Sequence, residues 1–244
     1  MTRALTTSRP PVVNLAAAVR AYVATRGGTV SFAMRDSTTG RTVVVGQHRV
    51  IAASAIKLSI LEALLDRAQA DQRELTEDEK SLAAEMIENS NNDAATALWS
   101  ELGAEQGMVR FWAKLRMTHT LPGPPYYWGL TTTTASDQLK VLGALAGKDP
   151  DLAPAEQQEA DELLDQVEAD QRWGVSGGVP ASVTVRLKDG WLPRPHGWVV
   201  NSIGHVRGQG HDYLIAVLTS GSRTEAHGID TIEHLSRLTW QHES

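Results

Sequence analysis

The chain of 244 residues contains no cysteine. That excludes disulfides, cysteine metal sites and a thiol nucleophile, and leaves the cellular compartment open. No apolar run approaches the roughly 18 residues that a membrane helix needs. The first residues, MTRALTTSRPPVV, lack the apolar centre of a secretion signal. As written the chain is expected in the cytoplasm, or outside the cell or at its envelope if a leader was removed. Positive charge is also short. A formal net charge of -6 argues against binding to bare nucleic acid. No repeat and no low-complexity tract interrupts the sequence. What remains, 41% hydrophobic and 21% charged residues over this length, suits one large domain or two tightly packed lobes.

VVNLAAAVRAYVATRGG (13–28) reads as a helix ending at Gly27 and Gly28, and TVSFAMRDSTTGRTVVVGQ (29–47) as a β-hairpin. Residues 51 to about 170 are mostly helical in pattern. Thr76 and Glu79 have the spacing of a capping box, and Thr134 with Asp137 resembles one. LPGPPYYWGL (121–130) reads as a rigid aromatic loop, and the acidic run 149–170 as a solvated helix face. From residue 182 three strand patterns follow: SVTVRLKDG, GWVVNSIGHV and DYLIAVLTSG. HGIDTIEHLSRLTWQ then reads as an amphipathic helix. Strands and helices that separate in this way predict an α+β fold with an antiparallel sheet. Residues 1–50 and 180–244 would form an α/β lobe, and 51–179 an all-helical lobe. A cleft between lobes is a usual place for a site.

Three short motifs carry chemistry. In ASAIKLSILEALL (53–65), Ile56, Leu61, Leu64 and Leu65 predict an apolar, mostly buried helix. Lys57 lies in its opening, three residues after Ser54, and must reach solvent or be held by something that uses it. Positions i and i+3 share a helix face, so Lys57 can reach back to Ser54. A serine hydroxyl becomes a nucleophile only beside a base, and lysine is a base only if burial or a second cation lowers its pKa. The second motif, Ser90-Asn91-Asn92, caps a helix on its plain reading. On its functional reading Ser90 relays a proton and Asn92 bonds a substrate amide. The third, Lys188-Asp189-Gly190, is either a strand end turning at Asp-Gly or a cation in the cleft that lowers the pKa of Lys57. Gly190 would let substrate lie close to the strand.

In this order the three motifs resemble the S-x-x-K, S-D-N and K-T-G set of the serine β-lactamase and penicillin-binding protein superfamily. GLTTTTASDQL (129–139), VEADQRWGVS (167–176), KDGWLP (188–193) and NSIG (201–204) look most like its compact class A-like serine hydrolases from actinobacteria, over about residues 13–240. The resemblance implies a three-layer α/β lobe beside a helical lobe, with Ser54, Lys57, Ser90 and Lys188 catalytic. Asn92, Asp189, Gly190 and Trp191 would bind substrate, and the backbone N–H groups of Ser54 and Trp191 would form the oxyanion hole. The implied partner is a small molecule or peptide carrying an acyl group. Eight histidines are scattered, His205 and His211 flanking a turn, and no metal or cofactor is expected.

Two departures bear on this reading. Class A β-lactamases deacylate through a glutamate between the second and third motifs, yet no Asp or Glu occurs between Gln106 and Ser136. Deacylation of a β-lactam is therefore expected to be slow, with His119, Tyr126 or Tyr127 as substitutes or as packing and rim. Asp189 stands where the family has a Ser or Thr that donates to the substrate carboxylate. An ionised Asp can only accept. Either it points away, or the substrate differs, with Arg172 and Arg186 as replacement anchors or surface ion pairs. Trp128, Trp173 and Trp191 either wall the cleft or pack in the core. Two other readings stand beside the enzyme: a binding or sensor module on the same fold, and an unrelated α+β protein.

Overall fold

In the computed structural model, which describes residues 14–147 and 152–243, the Asn14 side chain accepts a hydrogen bond from Ala16 N and opens α1 (Leu15–Val23). The predicted helix start at residue 13 and positions 149–151 of the acidic run lie outside the described residues. Helix α1 also ends before Gly27. Thr25 N and Arg26 N bond three residues back, to Tyr22 O and Val23 O, and these tight turns release the chain early.

The predicted hairpin is β1 (Thr29–Asp36) and β2 (Thr42–Val45), whose turn is held by Asp36 Oδ1 accepting from Thr38 N and Thr39 N. The later strands are β5 (Thr184–Arg194), β6 (Gly197–Gly208) and β7 (His211–Ser222). Together they form one antiparallel sheet in the order β2-β1-β7-β6-β5. Its two faces follow from the period of two along a strand. Ile215 and Val217 pack with Val19, Phe32, Ile232 and Leu235 under α1 and α8 (Glu225–His242). Leu214, Ala216 and Leu218 face the helical lobe, packing with Leu61 and Leu64.

That lobe holds α2 (Lys57–Ala70), α3 (Glu77–Glu88), α4 (Asn92–Glu101), α5 (Ala104–Lys114), α6 (Ala135–Leu145) and α7 (Pro154–Asp165). Every residue of α2 from Lys57 to Leu65 is buried, so α2 is a central helix surrounded on all sides. The Thr76–Glu79 capping box is complete, with both reciprocal bonds made. At α6 only half of one forms. Thr134 accepts from Asp137 N, while the Asp137 carboxylate turns to His119 N and Thr120 Oγ1.

Two features had no sequence signal. A two-residue pair, β3 (Val50–Ile51) with β4 (Thr132–Thr133), joins the segments before α2 and α6. Residues 174–176 pack on the sheet lobe, where Val175 N donates to Ser202 Oγ and Ser236 Oγ donates to Val175 O. The resulting architecture is the expected α+β fold, a three-layer α/β lobe beside a helical one. Among the described residues no helix is long and apolar enough to cross a membrane.

Candidate active site

The site forms where α2 begins beside β5. Ala52 N is anchored on Thr131 O, and the chain then makes a tight 3-10 turn over Ala53–Ile56. Ala53 adopts φ +48°, a left-handed conformation that costs a non-glycine residue about 1–2 kcal/mol. Surrounding bonds hold it there. The buried Asn201 on β6 donates to Ile51 O and Ala52 O, both at 2.9 Å, and accepts from Thr219 N at 3.1 Å. Asn201 thus ties the turn bearing Ser54 to the sheet. The NSIG stretch belonged to the resemblance, but nothing in its spacing revealed this role.

Gly190 lies opposite the same turn. A Cβ on it would sit 2.6 Å from both Ser54 N and Ala55 N, and 3.0 Å from Ala52 O. Only a glycine lets β5 come this close to the backbone of Ser54. The Ser54 hydroxyl itself lies at the cleft surface and bonds to no described residue.

Lys57 has no exposed surface. Its Nζ lies 2.5 Å from Ser90 O, 3.0 Å from Ser90 Oγ and 3.0 Å from Asn92 Oδ1. The sequence predicted a reach back to Ser54, and the amine bonds instead to the α3–α4 junction. Ser90 holds φ +55° there, strained as Ala53 is, while Asn91 caps α4 through Asp93 N and Ala94 N. The plain capping reading therefore describes Asn91, and its two neighbours hold the lysine.

Burial, and secondly the charge of Lys188, lower the Lys57 pKa to about 7. A neutral amine has two hydrogens and one lone pair. Ser90 O and Asn92 Oδ1 can only accept, so they take the two hydrogens. The lone pair is then left for a hydroxyl. The Trp128 ring covers the amine, its centroid 5.1 Å from Nζ, and Trp128 Nε1 donates to Thr96 Oγ1.

Lys188 is likewise fully buried, with Nζ 3.5 Å from its neighbour's carbonyl, Asp189 O. Burial lowers its pKa to about 8, against the opposing charge of Asp189. Asp189 is a correction to the substrate-binding set. It has no exposed surface, and its carboxylate turns away from the cleft, with Oδ2 accepting from Trp173 N and a further bond to Ser202. The reason is strand parity. Val185, Leu187 and Asp189 share the α8-facing side of β5.

A cleft of about 300 Å³ opens over Ser54, walled by Asn92, Tyr126, Tyr127, Trp128, Trp191 and Leu192. Among the described residues no charged side chain lines it. The loop 121–130 supplies the aromatic wall. Tyr126 sits at φ +69° with its N–H on Glu105 Oε1, and Gly123 packs tightly under Tyr127 O. Tyr126 and Tyr127 are rim residues, 90% and 62% exposed. Trp173 stays outside the lining but meets Trp191 edge-on. The remaining candidates are engaged elsewhere. His119 bonds Thr118, Arg172 donates to Leu164 O and Val185 O, and Arg186 pairs with Asp161 and Asp165.

A model of the β-lactamase enzyme family matches residues 14–80 and 78–242. The chain belongs to this family. Among solved structures, a class A β-lactamase from Bacteroides cellulosilyticus superposes with a TM-score of 0.83 at 17% identity, covering 96% of this chain and 99% of its own. An ancestral class A β-lactamase (GNCA) gives 0.79 at 22% identity, covering 93% and 99%. The TLA-1 extended-spectrum β-lactamase gives 0.84 at 14%, covering 93% and 97%. These likenesses establish the fold. The candidate lipoprotein LppW of Mycobacterium tuberculosis and of Mycobacterium bovis is 27% identical over 182 residues, 69% of this chain. The match spans 56% of the length of these mycobacterial relatives.

Proposed function

We propose that this β-lactamase-family protein is a serine hydrolase or acyl transferase that works through an acyl-enzyme on Ser54 and deacylates β-lactams slowly. The observation that carries the proposal is the environment of Lys57, a buried amine with its pKa about 7, its lone pair left for a hydroxyl with Ser90 Oγ 3.0 Å away, and one turn from a serine at the cleft surface. Ser54 Oγ attacks an amide or ester carbonyl and its proton passes to Lys57. The carbonyl oxygen gathers negative charge at the N–H groups of Ser54 and Trp191, worth several kcal/mol at the transition state on the order of known oxyanion holes. Collapse breaks the C–N or C–O bond. Ser90 Oγ, 3.0 Å from the amine, returns the proton to the leaving group. Water or a second acceptor then releases the acyl group.

Among the described residues the cleft lining includes no carboxylate to activate that water, and the Trp128 ring lies over Lys57. This favours a long-lived acyl-enzyme and supports a second reading, a module that acylates and reports binding rather than turning over. Intact-protein mass spectrometry after incubation with benzylpenicillin or an activated ester, wild type beside Ser54→Ala, tests both. A persistent adduct on wild type alone is the expected result. Rapid hydrolysis lost in Ser54→Ala would keep the nucleophile and overturn slow deacylation. Neither adduct nor hydrolysis with either reagent would overturn the acyl-enzyme.

A further inference from the structure

We propose that the hollow lined by Arg49, Arg194 and His196, next to the Ser54 cleft, is a binding site for a phosphate monoester group. The proposal concerns binding alone and stands apart from the acyl-enzyme reading.

The hollow, about 360 Å³, lies at one end of the sheet, on the face that meets the helical lobe. Strand parity puts its residues there. Arg194 continues the side of β5 that carries Lys188 and Gly190, opposite Asp189. Thr29 and Ser220, paired across β1 and β7, fall by the same period on the side of Ala33 and Leu218. Arg49, Ile51 and Thr132 close the hollow from the helical lobe. It shares walls with the Ser54 cleft. Ile51, Thr132 and Arg194 line the hollow, while Ala53, Leu130 and Leu192, each two residues away, line the cleft. At roughly 3.3 Å per residue in extended chain that separation is about 7 Å, so the two openings adjoin.

The charge of the hollow is one-sided. Two guanidiniums and an imidazole line it and, among the described residues, no carboxylate does, in a chain whose net charge is -6. Other arginines are answered by acids: Arg26 pairs with Asp230, Arg73 with Glu79, and Arg186 with Asp161 and Asp165. Among the described residues the side chains of Arg49 and Arg194 make no hydrogen bond and no ion pair. Arg194 stands between Pro193 and Pro195, whose rings fix the backbone on both sides and so aim it. Gly197, at φ +114°, lets the start of β6 pack on β7, where a Cβ would meet Ser222 O at 2.7 Å. Glycines at 28, 197 and 221 line the hollow, so no side chain fills it from there. A phosphate monoester brings close to two negative charges and three acceptor oxygens. Guanidinium forks bind such oxygens in pairs, and Thr29, Thr132 and Ser220 add hydroxyl donors. A carboxylate, with one charge and two oxygens, would leave part of this set unanswered.

The test is an NMR titration of isotope-labelled protein with inorganic phosphate at low ionic strength, beside the same titration with acetate. The expected result is saturable shifts of the Arg49 and Arg194 Nε–H signals, with a dissociation constant of about 5 mM or lower. Acetate should bind at least ~10-fold more weakly. Arg49→Gln and Arg194→Gln, both at exposed positions, should each weaken phosphate binding at least ~10-fold. Arg194→Lys keeps the charge without the fork and should lose less. Arg20→Gln removes an exposed positive charge from α1, on the other side of the sheet, and should change nothing. No saturation, equal affinity for acetate, or an equal loss in Arg20→Gln would overturn the proposal. Labelling of Ser54 by benzylpenicillin is read separately, so failure of the acyl-enzyme reading leaves this result intact.

Discussion

Lys57 Nζ meets Ser90 twice, at the carbonyl oxygen (2.5 Å) and at Oγ (3.0 Å), so one strained residue presents both its main chain and its side chain to the amine. The two contacts separate by mutation. Ser90→Ala keeps the carbonyl and removes the hydroxyl. Acylation of Ser54 should fall about 10²-fold, the lower end for loss of a proton-transfer group, with stability almost unchanged. Ser90→Gly loses the same hydroxyl but relaxes φ +55°, and should be more stable than Ser90→Ala by about 1 kcal/mol. Stopped-flow acylation and urea unfolding read the two effects. Acylation by Ser90→Ala within about threefold of wild type would remove Ser90 from the proton path.

The pH dependence follows from Lys57. In the proposed mechanism its neutral form is the base, so the acylation rate should rise with pH, level off above about 7, and fall about tenfold per unit below it. The same shift has a stability consequence. The folded pKa, about 7, lies below the ordinary 10.5, so the unfolded chain binds more protons between those values and stability rises with pH across that window. At neutral pH and below, the buried amine is a liability on the order of a few kcal/mol. Lys57→Met should therefore abolish acylation and raise the melting temperature at pH 7. A melting temperature lowered by this substitution would mean that the bonds to Ser90 and Asn92 outweigh the burial.

Gly190→Ala tests the close approach of β5 to the turn bearing Ser54. Its Cβ would require Ser54 N and Ala55 N, both 2.6 Å away, to move, and Ser54 N is one of the two proposed oxyanion donors. Acylation should drop by about 10² or more, with a loss of roughly 1–3 kcal/mol in stability from overpacking. Gly129→Ala, where an added Cβ meets nothing within 4 Å, is the control and should leave the fold's stability near wild type. Near-normal acylation by Gly190→Ala would show that donor placement there is not limiting.

What the sequence revealed was local chemistry. The Thr76–Glu79 box, the hairpin within residues 29–47 and the apolar centre of α2 depend on neighbours a few residues away, and each formed. The face of Asp189 was also readable, because Val185 and Leu187 precede it at a period of two. The sequence reading held that orientation open as one of two alternatives, while the motif resemblance placed Asp189 in the substrate-binding set. Other features depend on pairs far apart in the chain. Asn201 reaches Ile51 and Ala52, Trp128 covers Lys57, and Val50–Ile51 pairs with Thr132–Thr133. None of these leaves a periodic trace. Arg186 shows the opposite case, since its ion pairs with α7 answer to the acidic run that was legible as charge.

The register that joins Thr29 to Ser220 has a consequence in time. Strand β1 can settle beside its neighbour β7 only once almost all the described chain exists, and β6 and β5 extend the sheet from there to Gly190. Ser54 emerges early during synthesis, but the strand that faces it and the Asn201 that fixes its turn come much later. Pairings so distant in sequence form slowly. A nascent or partly refolded chain thus carries Ser54 without its sheet-side supports, and on the proposed function the ability to acylate should return in a refolding experiment with the last structural phase rather than with the helices.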